Sequence, residues 1–192
     1  MYIVGLNGSH NEDGNVAFLL KEVMKHLEAE GAECEIISVN KAINRAKTPF
    51  CVCCESPCQK ACYKGTMLDE AFNKISRADF VLIGSPVYFG SMSGQLKCFF
   101  DKTRAVRASK AWLGKPVAAL SVGATKYGGQ ERTIDHIHST ALVLGMNIFG
   151  NSCMDAPGHF GISAHNPANA DTYAIKQCEN LAKSIVSYLK RT

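Results

Sequence analysis

Short apolar runs alternate along this chain with stretches in which apolar positions recur every three or four residues. Tyr2–Leu6, Glu33–Val39, Phe80–Ile83, Pro116–Val122 and Met146–Phe149 carry the short runs, which predict strands, most of them buried on both faces. Between them the period lengthens. Val16, Leu19, Leu20, Val23, Met24 and Leu27 recur at helical spacing up to Gly31, a natural stop. Leu68, Ala71, Phe72 and Ile75 predict a helix over 67–77, and Leu96, Phe99 and Phe100 mark the next. Ile134, Ile137, Ala141 and Leu144 share one face of a fourth, and Cys178, Leu181, Ala182, Ile185 and Leu189 one face of the last. Residues 150–169 hold Gly, Pro, Asn and His without periodicity and are expected to form a long loop. Strands alternating with helices predict a three-layer α/β domain. Its doubly wound, parallel, five-stranded sheet should run in the order 2-1-3-4-5, with helices on both faces.

Such sheets bind ligands outside the carboxyl ends of their strands, in the crevice where strands 1 and 3 part. Three unusual loops leave that edge. Residues 7–16, Asn-Gly-Ser-His-Asn-Glu-Asp-Gly-Asn-Val, follow the first strand and open a helix, offering amides, hydroxyls and the positive end of the helix dipole to a phosphate. The loop has no Lys or Arg, so a bound monophosphate would rely on amides, Ser9, Asn15 and His10. Gly8 and Gly14 would allow close approach of the backbone. The alternative is an ordinary capped turn, because neither a Walker ending nor a G-x-G-x-x-G fingerprint is present. Residues 85–90, Ser-Pro-Val-Tyr-Phe-Gly, leave the third strand as a loop too rich in hydroxyls and aromatics for a mere connector. The exit of the fourth strand runs from Gly123 to the turn Gly128-Gly129-Gln130. Convergence of three such loops says more than any one of them.

A chain of 192 residues suits a single domain over 1–192, and 46% hydrophobic with 20% charged residues speaks against disorder. A net charge of +4 without an Arg/Lys stripe argues against a nucleic-acid partner. No apolar run suits a spanning helix and no basic-then-apolar leader opens the chain, so a cytoplasmic protein without a membrane partner is expected. The basic residues do gather. Lys41, Arg45, Lys47, Lys60 and Lys64 face one acid, Glu55, between residues 40 and 66, which predicts either a solvated loop or an attractive face for an acidic partner.

Nine cysteines in a reducing compartment point to metal or redox chemistry rather than disulfides. Five of them, Cys51, Cys53, Cys54, Cys58 and Cys62, lie within twelve positions of a loop over about 47–66. One register takes Cys51, Cys54, Cys58 and Cys62 as four ligands and leaves Cys53 spare; the other exchanges Cys53 for Cys54. Four thiolates on a compact loop suit a four-iron cubane, with structural zinc as the alternative. Cys34, Cys98, Cys153 and Cys178 read as core thiols. Trp112 reads first as packing under its loop and second as a stacking partner for a bound ring. His136, His138, His159 and His165 match no metal motif and read as structural.

Together these segments resemble the iron-sulfur flavoproteins of the NADPH-dependent FMN reductase superfamily, which has a flavodoxin-like fold. The resemblance rests on Gly8-Ser9 with Asn15, the cysteine loop, Pro86-Val87-Tyr88, Gln95-Leu96-Lys97 with Phe100-Asp101, and residues 119–123. It continues through Gly128-Gly129-Gln130-Glu131, Ile137-His138, Phe160-Gly161-Ile162 and Asn166-Pro167. It implies FMN and a [4Fe–4S] cluster in an electron-transfer oxidoreductase, with a ferredoxin-like donor or NAD(P)H, and a homodimer or homotetramer. By that resemblance Ser9, Asn11, Asn15 and Val16 hold the phosphate, while Pro86, Val87, Tyr88 and Phe89, up to Gly90, line the ribityl chain and ring. Ser121, Gly123 and the turn Gly128, Gly129, Gln130 close the other side. Two features depart from the family pattern: the cysteine spacing with its extra Cys53, and Asn11 where an Arg is usual. The rival readings are an NAD(P)H-dependent FMN or quinone reductase without a functional cluster, and a non-catalytic redox carrier or sensor. Carrier flavodoxins tend to be acidic, and the charge of +4 counts against that version.

Overall fold

A computed structural model describes residues 1–191 of the chain. Its strands β1 (Tyr2–Asn7), β2 (Glu33–Ser38), β3 (Phe80–Pro86), β4 (Pro116–Gly123) and β5 (Asn147–Phe149) form a parallel sheet in the order β2-β1-β3-β4-β5. The predicted order holds, and the flavodoxin-like doubly wound fold with it. The sheet has a sixth strand, β6 (Ile162–His165), inside the stretch expected to be loop. β5 pairs with Pro116–Ala118 and β6 with Leu120–Gly123, so both flank β4 and together serve as one interrupted edge strand.

Alternate residues of each strand face opposite layers. Ile3, Phe80, Leu82, Ala118 and Leu120 pack against α1 (Asn15–Glu28) and α7 (Thr172–Leu189). Val4, Leu6, Val81, Ile83, Val117 and Ala119 pack against the other layer. That layer holds α2 (Val39–Asn44), α3 (Met67–Arg77), α4 (Gly94–Asp101) and α6 (Gln130–Val143), with the short α5 (Arg104–Ala108) contributing Val106. Trp112 belongs to this second core, edge-on to Phe72, with its indole N–H donating to Ser76 Oγ at 3.1 Å. It packs under the loop and away from any ligand crevice. The second strand ends one residue earlier than its apolar pattern, because Ser38 Oγ accepts from Lys41 N and turns Val39 into a helix. Among the described residues no helix is long and apolar enough to cross a membrane.

Candidate functional site

The β1–α1 loop is shaped by its own short polar side chains. Asn7 Oδ1 accepts from Ser9 N, Ser9 Oγ from Asn11 N, and Asn11 Oδ1 from Asp13 N, while Asn7 Nδ2 donates to Asn11 O. α1 follows with Gly14 as N-cap and no side-chain cap, and its first hydrogen bond runs from Phe18 N to Gly14 O. The amides of Asn15, Val16 and Ala17 therefore have no partner inside the helix, which is the arrangement that binds phosphate. The Asn15 side chain is spent elsewhere: it donates to Asn166 Oδ1 at 2.9 Å and accepts from Ala168 N at 2.9 Å. Its contribution to an anion is its backbone amide.

The β3–α4 loop stands opposite. Tyr88 and Ser91 exchange both backbone hydrogen bonds around Phe89 and Gly90, whose φ of +51° and +71° make a tight turn. Positive φ at a phenylalanine is uncommon and costs about 1–3 kcal/mol, and the ring it carries is fully exposed. Ser93 ties this loop to the first. Its hydroxyl caps α4 by accepting from Leu96 N and donates to Gly8 O at 2.6 Å. Tyr88 Oη and His10 Nδ1 meet at 3.1 Å, a second bridge between the loops.

Between them lies a cleft of about 290 Å³ lined by Ser9, His10, Asn11, Gly14, Asn15, Val16, Pro86, Val87, Tyr88 and Gly123, with Val122, Ala124 and Asn166. Ten of the predicted residues thus meet in one place, and no Lys or Arg is among them. Ala124 and Val122 flank Gly123 in sequence; Asn166, part of the Asn166-Pro167 motif of the resemblance but given no site role there, arrives from beyond β6. Other predicted residues lie off the cleft. Phe89 and Gly90 form the turn tip above it. Ser121 is completely buried within β4, with its hydroxyl unpartnered among the described residues. Gly129 and Gln130 line a neighbouring, wider hollow of about 830 Å³ with Lys126, Tyr127, Arg132, His165 and Tyr173. Gln130 holds this turn together by donating to Thr125 O and Ala164 O and accepting from Gly128 N. At Gly129, φ is +93°, and an added β-carbon would stand 3.5 Å from Gly90 and Val87, so the turn rests on the β3–α4 loop. The cleft suits a flavin phosphate: free helix amides at one end and the Tyr88 ring beside Pro86 and Val87 along the wall.

The cysteine loop leaves α2 on the second core's side. Lys47 N donates to Cys62 O, closing its two ends, and Arg104 Nη1 donates to Glu55 O at 3.0 Å, fixing its middle to α5. Cys51, Cys58 and Cys62 are half-buried, whereas Cys53 and Cys54 are exposed and Cys53 has a φ of +50°. Tyr63 is buried in the core, and its hydroxyl has no partner among the described residues. Burial first, then Cys58, Asp69, Cys62 and Cys51, push that phenol well above its ordinary range. Lys102, buried at 2% exposure, donates to Thr48 Oγ1 and Cys62 Sγ, each at 3.4 Å. Among the described residues no three Cys, His or carboxylate groups converge closely enough to hold a metal ion. The chemistry of the donors still fits a thiolate-bound centre: five thiols on one tethered loop, with a buried cation and a free phenol O–H beneath them.

Of the histidines, His136 Nδ1 meets Ser91 Oγ at 2.9 Å and steadies the turn next to Tyr88. His138 is buried, its Nε2 unpartnered among the described residues, and burial lowers its pKa while Asp135 opposes the shift.

Residues 1–159 match the family described as NADPH-dependent FMN reductase. An iron-sulfur flavoprotein of Methanocaldococcus jannaschii is 32% identical over 196 residues, spanning 99% of this chain and 98% of its own length. An NAD(P)H dehydrogenase (quinone) of Chromohalobacter salexigens is 34% identical over 102 residues, 52% of this chain and 51% of its own. The solved structure of a WrbA-like flavodoxin from Agrobacterium tumefaciens superposes with a TM-score of 0.69 at 15% identity, covering 99% and 96% of the two chains, a likeness of fold.

Proposed function

This chain belongs to the NADPH-dependent FMN reductase family as a flavodoxin-like iron-sulfur flavoprotein and is a flavin-dependent oxidoreductase. On that premise we propose that it takes electrons from a ferredoxin through a [4Fe–4S] cluster on the 47–66 loop and passes them by way of FMN to an acceptor. The observation that carries the flavin half is the single cleft in which three loops from different strands converge on free helix amides. There the amides of Asn15, Val16 and Ala17, with Ser9, hold the phosphate. Pro86, Val87 and Tyr88 flank the ribityl chain and ring, and the Gly128–Gln130 turn supports them from the far side. Bound FMN supplies the redox chemistry, and the chain supplies position and the free amides of the α1 N-terminus. The thiols of Cys51, Cys54, Cys58 and Cys62 hold the cluster in the favoured register, with Cys53 as the alternative to Cys54.

A second reading, an NAD(P)H-dependent quinone reductase without a working cluster, is favoured by the quinone dehydrogenase similarity and by the separation of the thiols. Anaerobic reduction kinetics separate the two. Reduced ferredoxin should bleach the flavin of the iron-reconstituted chain and act at least tenfold more slowly on Cys58→Ala. Flavin reduction by NADPH with equal quinone turnover in both chains, and none by ferredoxin, would establish the second reading instead.

A further inference from the structure

Lys102 is among the largest fully buried side chains of the protein and follows directly on α4. Burying an ammonium is costly unless an anion answers it. None does in the ordinary way. Among the described residues Lys102 makes no ion pair, and the adjacent acid, Asp101, is occupied by Lys97 at 2.5 Å. The carbonyl end of α4 offers partial negative charge only. Its two partners are a neutral hydroxyl, Thr48 Oγ1, and the sulfur of Cys62. Both lie at the ends of the cysteine loop, which the Lys47 N to Cys62 O bond draws together. The phenol O–H of Tyr63, also buried and unanswered, lies on the same side. A cationic and a neutral donor beside a loop of thiols, neither of them hydrogen-bonded to a carboxylate among the described residues although Asp69 acts on the Tyr63 phenol through space, are complementary to a loop whose sulfurs carry the negative charge.

We propose that Lys102 is a redox-tuning residue: a fixed positive charge lodged against Cys62 that stabilises the anionic centre on this loop and raises its reduction potential. The inference rests on the cluster reading above. Each electron entering a thiolate-bound centre adds a negative charge, and hydrogen bonds and net charge at the sulfurs set where that happens. A buried lysine 3.4 Å from the half-buried sulfur of a ligand therefore favours the reduced form.

The test compares the unmodified chain, Lys102→Met and Lys102→Arg, each reconstituted anaerobically with iron and sulfide. Cluster potential is followed by electron paramagnetic resonance, with FMN content and the flavin potential as internal controls. Lys102→Met should lower the reduction equilibrium constant of the cluster at least tenfold, about 59 mV for a one-electron couple. Lys102→Arg should stay closer to the unmodified chain, and the flavin potential should not move. Equal cluster potentials in the unmodified and Met chains would overturn the inference while leaving the cluster reading intact. If Lys102→Met holds FMN but no cluster, recovery of the cluster in Lys102→Arg supports the role of charge, and loss in both overturns it. An unmodified chain that takes up no iron removes the cluster reading and this inference together.

Discussion

Gly8 and Gly14 are equivalent as letters in a glycine-rich loop, and the structure separates them. A β-carbon on Gly8 would stand 2.6 Å from Gly84 O, the acceptor of Gly8 N–H, and 3.2 Å from Leu96, forcing β1 and β3 apart. At Gly14 φ is −83°, and an added β-carbon meets the Asn11 side chain at 3.1 Å. Gly14→Val should therefore lower bound FMN several-fold with little change in melting temperature. Gly8→Val should lose both, with a destabilisation of about 1–3 kcal/mol from overpacking. Flavin absorbance and thermal melts of the purified variants check this, and full flavin in Gly14→Val would remove this loop from the phosphate site. His138 gives a pH dependence. Burial lowers its folded pKa below the ordinary 6.5, so the unfolded chain binds the extra proton first as pH falls. The His138 contribution should be complete above that value and decline below it, and His138→Gln should flatten the acid side of a stability profile. An unchanged slope would refute the assignment. At this scale the gathering of the β1–α1 loop residues at one cleft was legible because the loop's hydrogen bonding is local. Asn166 surfaced only in the resemblance, with Pro167, and without a role, because its partner Asn15 is 151 positions away; a lone lysine at position 102 carries no pattern at all.

Elements differ in how much pattern they carry. The long helices and buried strands were read correctly because each repeats its apolar period several times. β6 has four residues, Ile-Ser-Ala-His, in which two buried positions alternate with two partly exposed ones between Gly161 and Pro167, and so short an alternation is indistinguishable from loop. α2 and α5, at six and five residues, are likewise too short to show a face. The cysteine loop is the reverse case: its spacing was plain, but its anchoring by Arg104, Lys102 and the buried Tyr63 was not. That anchoring sharpens the ligand prediction. Cys51, Cys58 and Cys62 stand half-buried, close enough to Tyr63 to act on its phenol, and Cys54 is the expected fourth ligand, because Cys53 is equally exposed but held at a positive φ of +50°. Alanine at Cys51, Cys54, Cys58 or Cys62 should abolish the broad visible absorption of the cluster and leave FMN bound. Cys53→Ala should keep both. Inverted results for Cys53 and Cys54 would establish the other register.

At the scale of the whole molecule, the sequence showed a segment of +4 between residues 40 and 66, and the fold redistributes it. Lys41 pairs with Glu12 at 2.6 Å and Lys60 with Asp69 at 3.7 Å, so acids from other elements answer two of its cations. Arg45, Lys47 and Lys64 remain exposed and make no ion pair among the described residues. An acidic ferredoxin should dock through these three, beside the thiols. Arg45→Glu with Lys64→Glu should slow flavin reduction by ferredoxin about tenfold at low salt and flatten its salt dependence, while reduction by dithionite stays unchanged. Equal slowing of both would show a structural effect and not docking.

In the proposed function one chain holds FMN in the β1/β3 cleft and a four-iron cluster on the 47–66 loop. Anaerobic reconstitution with iron and sulfide, followed by metal, sulfide and flavin analysis with the visible spectrum, tests it most directly. One FMN and about four irons per chain are expected, with broad absorption that dithionite bleaches. A chain with flavin but no iron, or with zinc and no absorption beyond the flavin, would contradict it.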